Sequence, residues 1–335
     1  MTEIKPFTTT GIGSLPHRSA IEAVELTLSS VDVPFWPQLP ALGFQEQMIP
    51  QYSEGMPGLR IDMEKERIWV ERDEEEIARF YETSAEMQAI AVSHDFAHGM
   101  HAFSLRIKSR RFPMLKGHVT GPLTFTLGLK DSEDKAVFFD EELRELSLML
   151  LKGKARWQVQ QLRQHADDVI VFIDEPILSA LGTSAYMGVS PEETARMLDE
   201  IAETITLAGG IPGIHCCGRA DWPLVLGTSI RILNFDVYGY GHTLAMYPEE
   251  TTAFLERGGV IAWGIVPTGD EIAGEDESSI IKLFDERKDQ LAERIPEDLL
   301  MGGIMLTPSC GAGSHTVPEA VKIFQILIAL KEELV

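Results

Sequence analysis

The sequence predicts an α/β fold, a single (β/α)8 TIM barrel with a hairpin-helix insertion between its second and third strands, and three observations carry that expectation. Eight short apolar runs alternate with amphipathic stretches of helical period, the pattern of parallel strands joined by crossover helices. The Gly-rich phosphate loop expected of an open doubly wound sheet has no counterpart. No low-complexity tract, short-period repeat or Pro/Gly/Ser linker divides the 335 residues, so one domain spanning 1–335 is expected.

Taken in order, the strands are expected at 8–14, 33–39, 113–120, 169–174, 211–217, 230–237, 260–266 and 303–308. Helical patterns follow most of them, at 20–29, 141–165, 191–208, 248–257, 278–294 and 317–333, and several open with a proline or an acid in the first turn. Between the second and third strands, 60–70 reads as a hairpin around Glu64-Lys65-Glu66, followed by an acidic-to-apolar helix from about 73 to 98; the insertion covers about 59–100.

Lys and Arg number 29 against 52 Asp and Glu, a net charge of −23 that repels phosphate backbones and anionic membranes, so neither nucleic acid nor membrane is an expected partner. The start MTEIKPFTTTGIGSLPH lacks the basic and apolar parts of a signal peptide, and no run of about 18 uncharged apolar residues occurs. A cytoplasmic protein is expected. Its three cysteines, Cys216, Cys217 and Cys310, are too few for a disulfide scaffold and raise metal ligation or thiol chemistry instead.

Active sites of this fold sit at the C-terminal ends of the strands, and the chemically unusual residues fall there. The strand ends carry Gly13-Ser14, Asp174-Glu175-Pro176, His215-Cys216-Cys217, Asp236 and Ser309-Cys310-Gly311. Residues i and i+2 of a strand share a face, so His215 and Cys217 are placed to grip one ion while Cys216 faces away and reads as an ordinary buried cysteine. Cys310 adds a second thiolate, giving a three-ligand zinc site with a position left open for substrate, which Asp236 would occupy at rest.

Several segments, in this order, carry a resemblance: Thr8-Thr9-Thr10-Gly11-Ile12-Gly13-Ser14-Leu15-Pro16, Lys116-Gly117-His118-Val119-Thr120-Gly121-Pro122-Leu123-Thr124, Ile173-Asp174-Glu175-Pro176, the His-x-Cys at 215–217, and Pro308-Ser309-Cys310-Gly311. Together they resemble the catalytic C-terminal barrel of cobalamin-independent methionine synthase, in its short core form. The wider superfamily also holds uroporphyrinogen decarboxylase and the methylcobalamin:coenzyme M methyltransferases. The resemblance implies zinc held by His215, Cys217 and Cys310, with Asp236 at the position of the family's strand-six glutamate. It implies a substrate-binding backbone at Ile12, Gly13 and Ser14, and Asp174 holding the amino group of homocysteine. The zinc-bound thiolate would attack an electrophilic methyl group in line, and Asp236 would leave the metal as the thiol arrives.

The departures from the family bear on the donor. The long enzymes carry an additional barrel before the catalytic one, and after strand seven a histidine that helps protonate the departing folate nitrogen; this chain reads Val266-Pro267-Thr268 there. A corrinoid leaving group needs no proton, so methylcobalamin or a methylated corrinoid protein is the expected donor. A glutamate after strand two of the long enzymes is replaced near Gln38, with Glu46 or Glu54 placed to reach in from the following loop. Homocysteine is the expected thiol, with coenzyme M or another small thiol as the other acceptor. A reading of a different class is a decarboxylase-like or corrinoid-binding barrel without methyl transfer, against which the Arg-poor strand ends weigh. Of the remaining residues, His242 and His118 are placed to line the pocket, and His242 is the first candidate for a proton donor. His94, His98 and His101 read as exposed or core-edge histidines, Trp36 and Trp263 as packing, and Asp174 with Glu175 as a possible acid/base pair.

Overall fold

The computed structural model describes residues 4–84 and 89–335. Its centre is a curled sheet of seven parallel strands: β1 (Thr8–Thr9), then, after a separate hairpin of β2 (Leu59–Asp62) and β3 (Arg67–Val70), β4 (Phe112–Thr120), β5 (Ala166–Asp174), β6 (Ile211–Cys216), β7 (Ile232–Asp236), β8 (Val260–Val266) and β9 (Ile304–Pro308). The spatial order β1-β9-β8-β7-β6-β5-β4 follows the chain, as it does in a TIM-barrel-like fold.

The expectation of eight regular strands is corrected to seven. The run 33–39 forms no ladder strand, because Pro34 and Pro37 remove two backbone donors within it. Isolated parallel bridges, Ser14 with Gln38 and Phe35 with Lys116, span the gap between β1 and β4 instead. On one side Val33 N donates to the Thr9 carbonyl and Gln38 N to the Gly13 carbonyl; on the other Lys116 N donates to the Pro34 carbonyl. The expected first strand also shortens to two residues. Gly11 lies where a Cβ would come within 2.3 Å of the Phe35 ring, and Gly13 where one would come within 3.1 Å of the His118 ring.

The helices stand close to their expected spans, at Ala20–Ser30, Glu141–Arg163, Pro191–Leu207, Pro248–Glu256, Glu277–Ala292 and Val317–Leu334. Side chains of Ser19, Asp140, Ser190, Asp276 and Thr316 accept N–H bonds at five of their N-termini. In the insertion β2 and β3 pair antiparallel as expected. The single helix expected from about 73 to 98 is corrected: one helix runs over Glu74–Ser84, residues 85–88 lie outside the described residues, and a second begins at His98 (His98–Ile107). Between them Ile90 N donates to the Gly153 carbonyl and Ser93 N to Glu54, so backbone donors that a helix would need are already occupied by tertiary partners.

Period-two alternation divides the strands between two environments. Ile12, Val33, Met114, Ile170, Phe172, Ile211, Ile232, Ala262 and Met305 pack inside the curled sheet, while a larger apolar cluster fills the space between sheet and helices. Toward the C-terminal ends the buried residues of the strands include Lys116, His118, Thr120, Asp174, His215, Asn234 and Thr307. This polar layer marks the mouth.

Candidate metal centre

Three ligand atoms meet at that mouth. His215 from β6, Cys217 just beyond it and Cys310 just beyond β9 bring one ligand atom each within 4.8 Å of one another, the only group of three His, Cys, Asp or Glu side chains among the described residues to do so. Ligand bonds of about 2.0–2.3 Å are compatible with that spacing, and two sulfurs with an imidazole nitrogen suit zinc. The Nε2 atom of His215 is buried without a hydrogen-bond partner, and Nδ1 lies 2.5 Å from Asn234 Oδ1. The neighbouring Cys310, then His215, hold the Cys217 thiol well below its usual range, and the proximity of Cys217 together with burial pushes the Cys310 thiol up. Cys216 sits on the opposite side as expected, fully buried, its thiol pushed up to about 12 by burial.

Around this triad the structure sorts the expected site residues. Asp174 pairs in register with His215; it is buried, its Oδ1 has no partner, and burial pushes its carboxyl up to about 6 against the pull of His215 and Lys116. Ile12 is buried and its carbonyl accepts a bond from the Lys116 ammonium. Gly13 faces the His118 ring, and the Ser14 Oγ accepts the Gly313 N–H beside the Cys310 turn. Gln38 bridges to Ser14 through its backbone, while its side chain donates to Gln51. Glu46 is buried under the loop, its carboxylate taken up by His98 Nδ1 at 2.8 Å, by the His98 and Leu39 N–H groups and by Gln51. Asp236 stands outside the group of three and accepts the Gly239 N–H at 2.8 Å, its carboxyl pushed up to about 6 by burial. His242 is exposed on the turn Gly241–Met246.

Asp174 and Glu175 do not form a shared acid/base pair, because adjacent strand residues point to opposite faces. Glu175 instead accepts bonds from Leu123 N, Thr124 N and Thr124 Oγ1, tying the end of β5 to the Gly121-Pro122 turn. Trp36 packs as expected, donating to Gln158 Oε1 and stacking on His118 with ring centroids 3.9 Å apart. Both His118 nitrogens are buried without a partner. His94, His98 and His101 form a ring cluster with centroids 4.5 and 5.4 Å from His94, and His98 is committed to Glu46.

Sequence reasoning missed Lys116, Asn234 and His315. Lys116 is wholly buried above the Phe172 ring, and burial brings its ammonium down to about 7. Its inward facing was legible from the alternation of 114, 116, 118 and 120 along one strand. His315 carried no signal in its spacing: its Nε2 donates to the Thr268 carbonyl at 2.7 Å, a contact across 47 residues.

Fold and site together define a class: a TIM-barrel-like α/β protein with a thiolate-rich candidate metal centre at the C-terminal edge of its parallel sheet. No family model matches the sequence, and no curated protein does. Among solved structures the chain is similar to a B12-independent methionine synthase from Shewanella sp. W3-18-1 in complex with selenomethionine, with a TM-score of 0.61 at 12% identity over 98% of each chain. It also matches GH20 catalytic modules of the pneumococcal exo-beta-D-N-acetylglucosaminidase at a TM-score of 0.47 and 11% identity, over 97% of this chain and 82% of that one. The likeness to the Shewanella protein, at such identity, speaks to the fold alone.

Proposed function

We propose that the chain is a zinc-dependent methyltransferase that moves a methyl group from a corrinoid, methylcobalamin or a methylated corrinoid protein, to the thiol of homocysteine, giving methionine. The supporting observation is the convergence of His215, Cys217 and Cys310 from strand ends far apart in sequence. Bound there, zinc supplies a lowered pKa for an acceptor thiol. The chain's own residues position the acceptor. Asp174 offers a buried, unpartnered carboxylate oxygen suited to an ammonium group, which favours homocysteine over coenzyme M, whose sulfonate it would repel. Lys116 fixes the Ile12 carbonyl and with it the Gly13-Ser14 backbone that receives the amino-acid end.

In the transfer, the thiol proton passes to solvent, the new S–C bond forms from the thiolate electron pair, and the Co–C bond breaks with its pair left on cobalt. No proton need be delivered to that leaving group, in keeping with Val266-Pro267-Thr268 and with a His315 ring tied to the Thr268 carbonyl. The Shewanella protein is described as B12-independent, so its likeness supports the methionine side of the reaction, while the corrinoid donor rests on residues 266–268.

Protein purified without chelator should carry near-stoichiometric zinc and should consume methylcobalamin absorbance with homocysteine ahead of coenzyme M and other thiols. Zinc-free protein, or absorbance loss that ignores the thiol, refutes the assignment.

A further inference from the structure

We propose that Asn234 is a positioning residue that sets the tautomer of His215 and so makes Nε2, and not Nδ1, the atom offered to a metal. This rests on the metal-site reading above and concerns a residue outside the ligand set. Asn234 lies on β7 in register with His215 on β6 and is fully buried. Its amide has three partners. Nδ2 lies 2.8 Å from the Ala262 carbonyl and 2.8 Å from Thr307 Oγ1, and Oδ1 lies 2.5 Å from His215 Nδ1.

A backbone carbonyl only accepts, so the amide nitrogen must face Ala262; the reverse orientation would set oxygen against oxygen. With Oδ1 thereby turned to the imidazole, Nδ1 must carry the proton, because an amide oxygen cannot donate. A neutral imidazole has one N–H, which leaves the lone pair on Nε2, the buried atom without a partner. Neighbouring strands thus determine a protonation choice through one side chain. Partners of this kind around metal-bound histidines typically govern about 10–100-fold in metal affinity.

The test uses the full chain labelled with ring-15N histidine, with His215 signals identified by comparison with His215→Gln. Long-range 1H–15N correlation spectra should show a protonated Nδ1 and a metal-bound Nε2 in the zinc-loaded protein, and the same Nδ1–H tautomer in the metal-free protein at alkaline pH. In chelator competition Asn234→Leu, which removes the acceptor facing Nδ1, should lose about 10–100-fold in zinc affinity. A proton on Nε2 overturns the proposal. So does unchanged zinc affinity in folded Asn234→Leu. If Asn234→Leu does not fold, the spectra of the unmutated protein still decide. Absence of zinc uptake by that protein defeats the metal reading, while its metal-free spectrum continues to report on Asn234.

Discussion

Replacing Cys217 with serine should strip the metal centre while leaving the fold in place. Zinc bound by a full protein ligand set is worth roughly 10–16 kcal/mol, so an even share among the three protein ligands and one open position is about 2.5–4 kcal/mol each. At 1.4 kcal/mol per decade, losing one thiolate weakens binding by about 10²–10³-fold. Serine keeps the shape but stays protonated and hard, so it does not stand in for the thiolate. Cys310→Ser should behave alike. Cys216→Ser is the internal control: its sulfur lies on the other side of the strand, 3.8 Å from the Gly218 carbonyl. It should change zinc affinity by no more than a few-fold while lowering stability by about 1–2 kcal/mol, because a hydroxyl replaces an apolar thiol in the core. Chelator competition on the three variants, with circular dichroism to confirm folding, makes the comparison. Equal zinc affinity across all three, or loss confined to Cys216→Ser, would refute the facing argument.

Asp174→Asn should raise KM for homocysteine by about 10–100-fold, the worth of a charge-assisted bond, and leave thiols without an amino group unaffected; equal losses for both classes would show a purely structural role. Asp236 is expected to act as a displaceable oxygen ligand, so X-ray absorption should show oxygen exchanged for sulfur when homocysteine is added, and an unchanged ligand shell counts against it. Homocysteine should turn over faster with methylcobalamin than with methyltetrahydrofolate triglutamate at equal concentration; the opposite order would call for a proton donor, with His242 and His315 to be tested by substitution. Burial raises the Glu175 carboxyl from 4.5 to about 7, so the native state holds a proton that the unfolded chain has already released across that window, and stability falls as pH rises through it. The fall attributable to Glu175 is about 3 kcal/mol at most, and denaturant titrations from acid to neutral pH should show it flattened in Glu175→Gln; parallel curves would refute the assignment.

Local pattern was enough to read six strands of the sheet and the helices after them, because a parallel strand buried on both faces is a continuous apolar run and its crossover helix repeats at 3.6 residues. The same locality explains the misses. In 33–39 the apolar content is that of a strand, but prolines at 34 and 37 break the ladder. In 73–98 the helical pattern continues through positions whose backbone donors are taken by Gly153 and Glu54, partners that lie far away in sequence.

The convergence of His215, Cys217 and Cys310 was legible for a related reason: strand periodicity gives His215 and Cys217 one face, and chain order in a curled parallel sheet brings the ends of β6 and β9 to the same rim. What sequence could not contain was the use of each remaining polar group. Glu46 had the right residue type and a plausible loop, yet folding gives its carboxylate to His98. Asn234 had no signal at all, and folding sets it between Ala262, Thr307 and the His215 ring. Amphipathic period and strand facing are properties of neighbours along the chain, so the sequence alone determined the order of strands and helices and the face that His215 and Cys217 share. Hydrogen-bond partners 19 to 73 residues apart are chosen by the packing of strands against one another, so only the tertiary structure decided which nitrogen, which carboxylate and which thiol remain free to act.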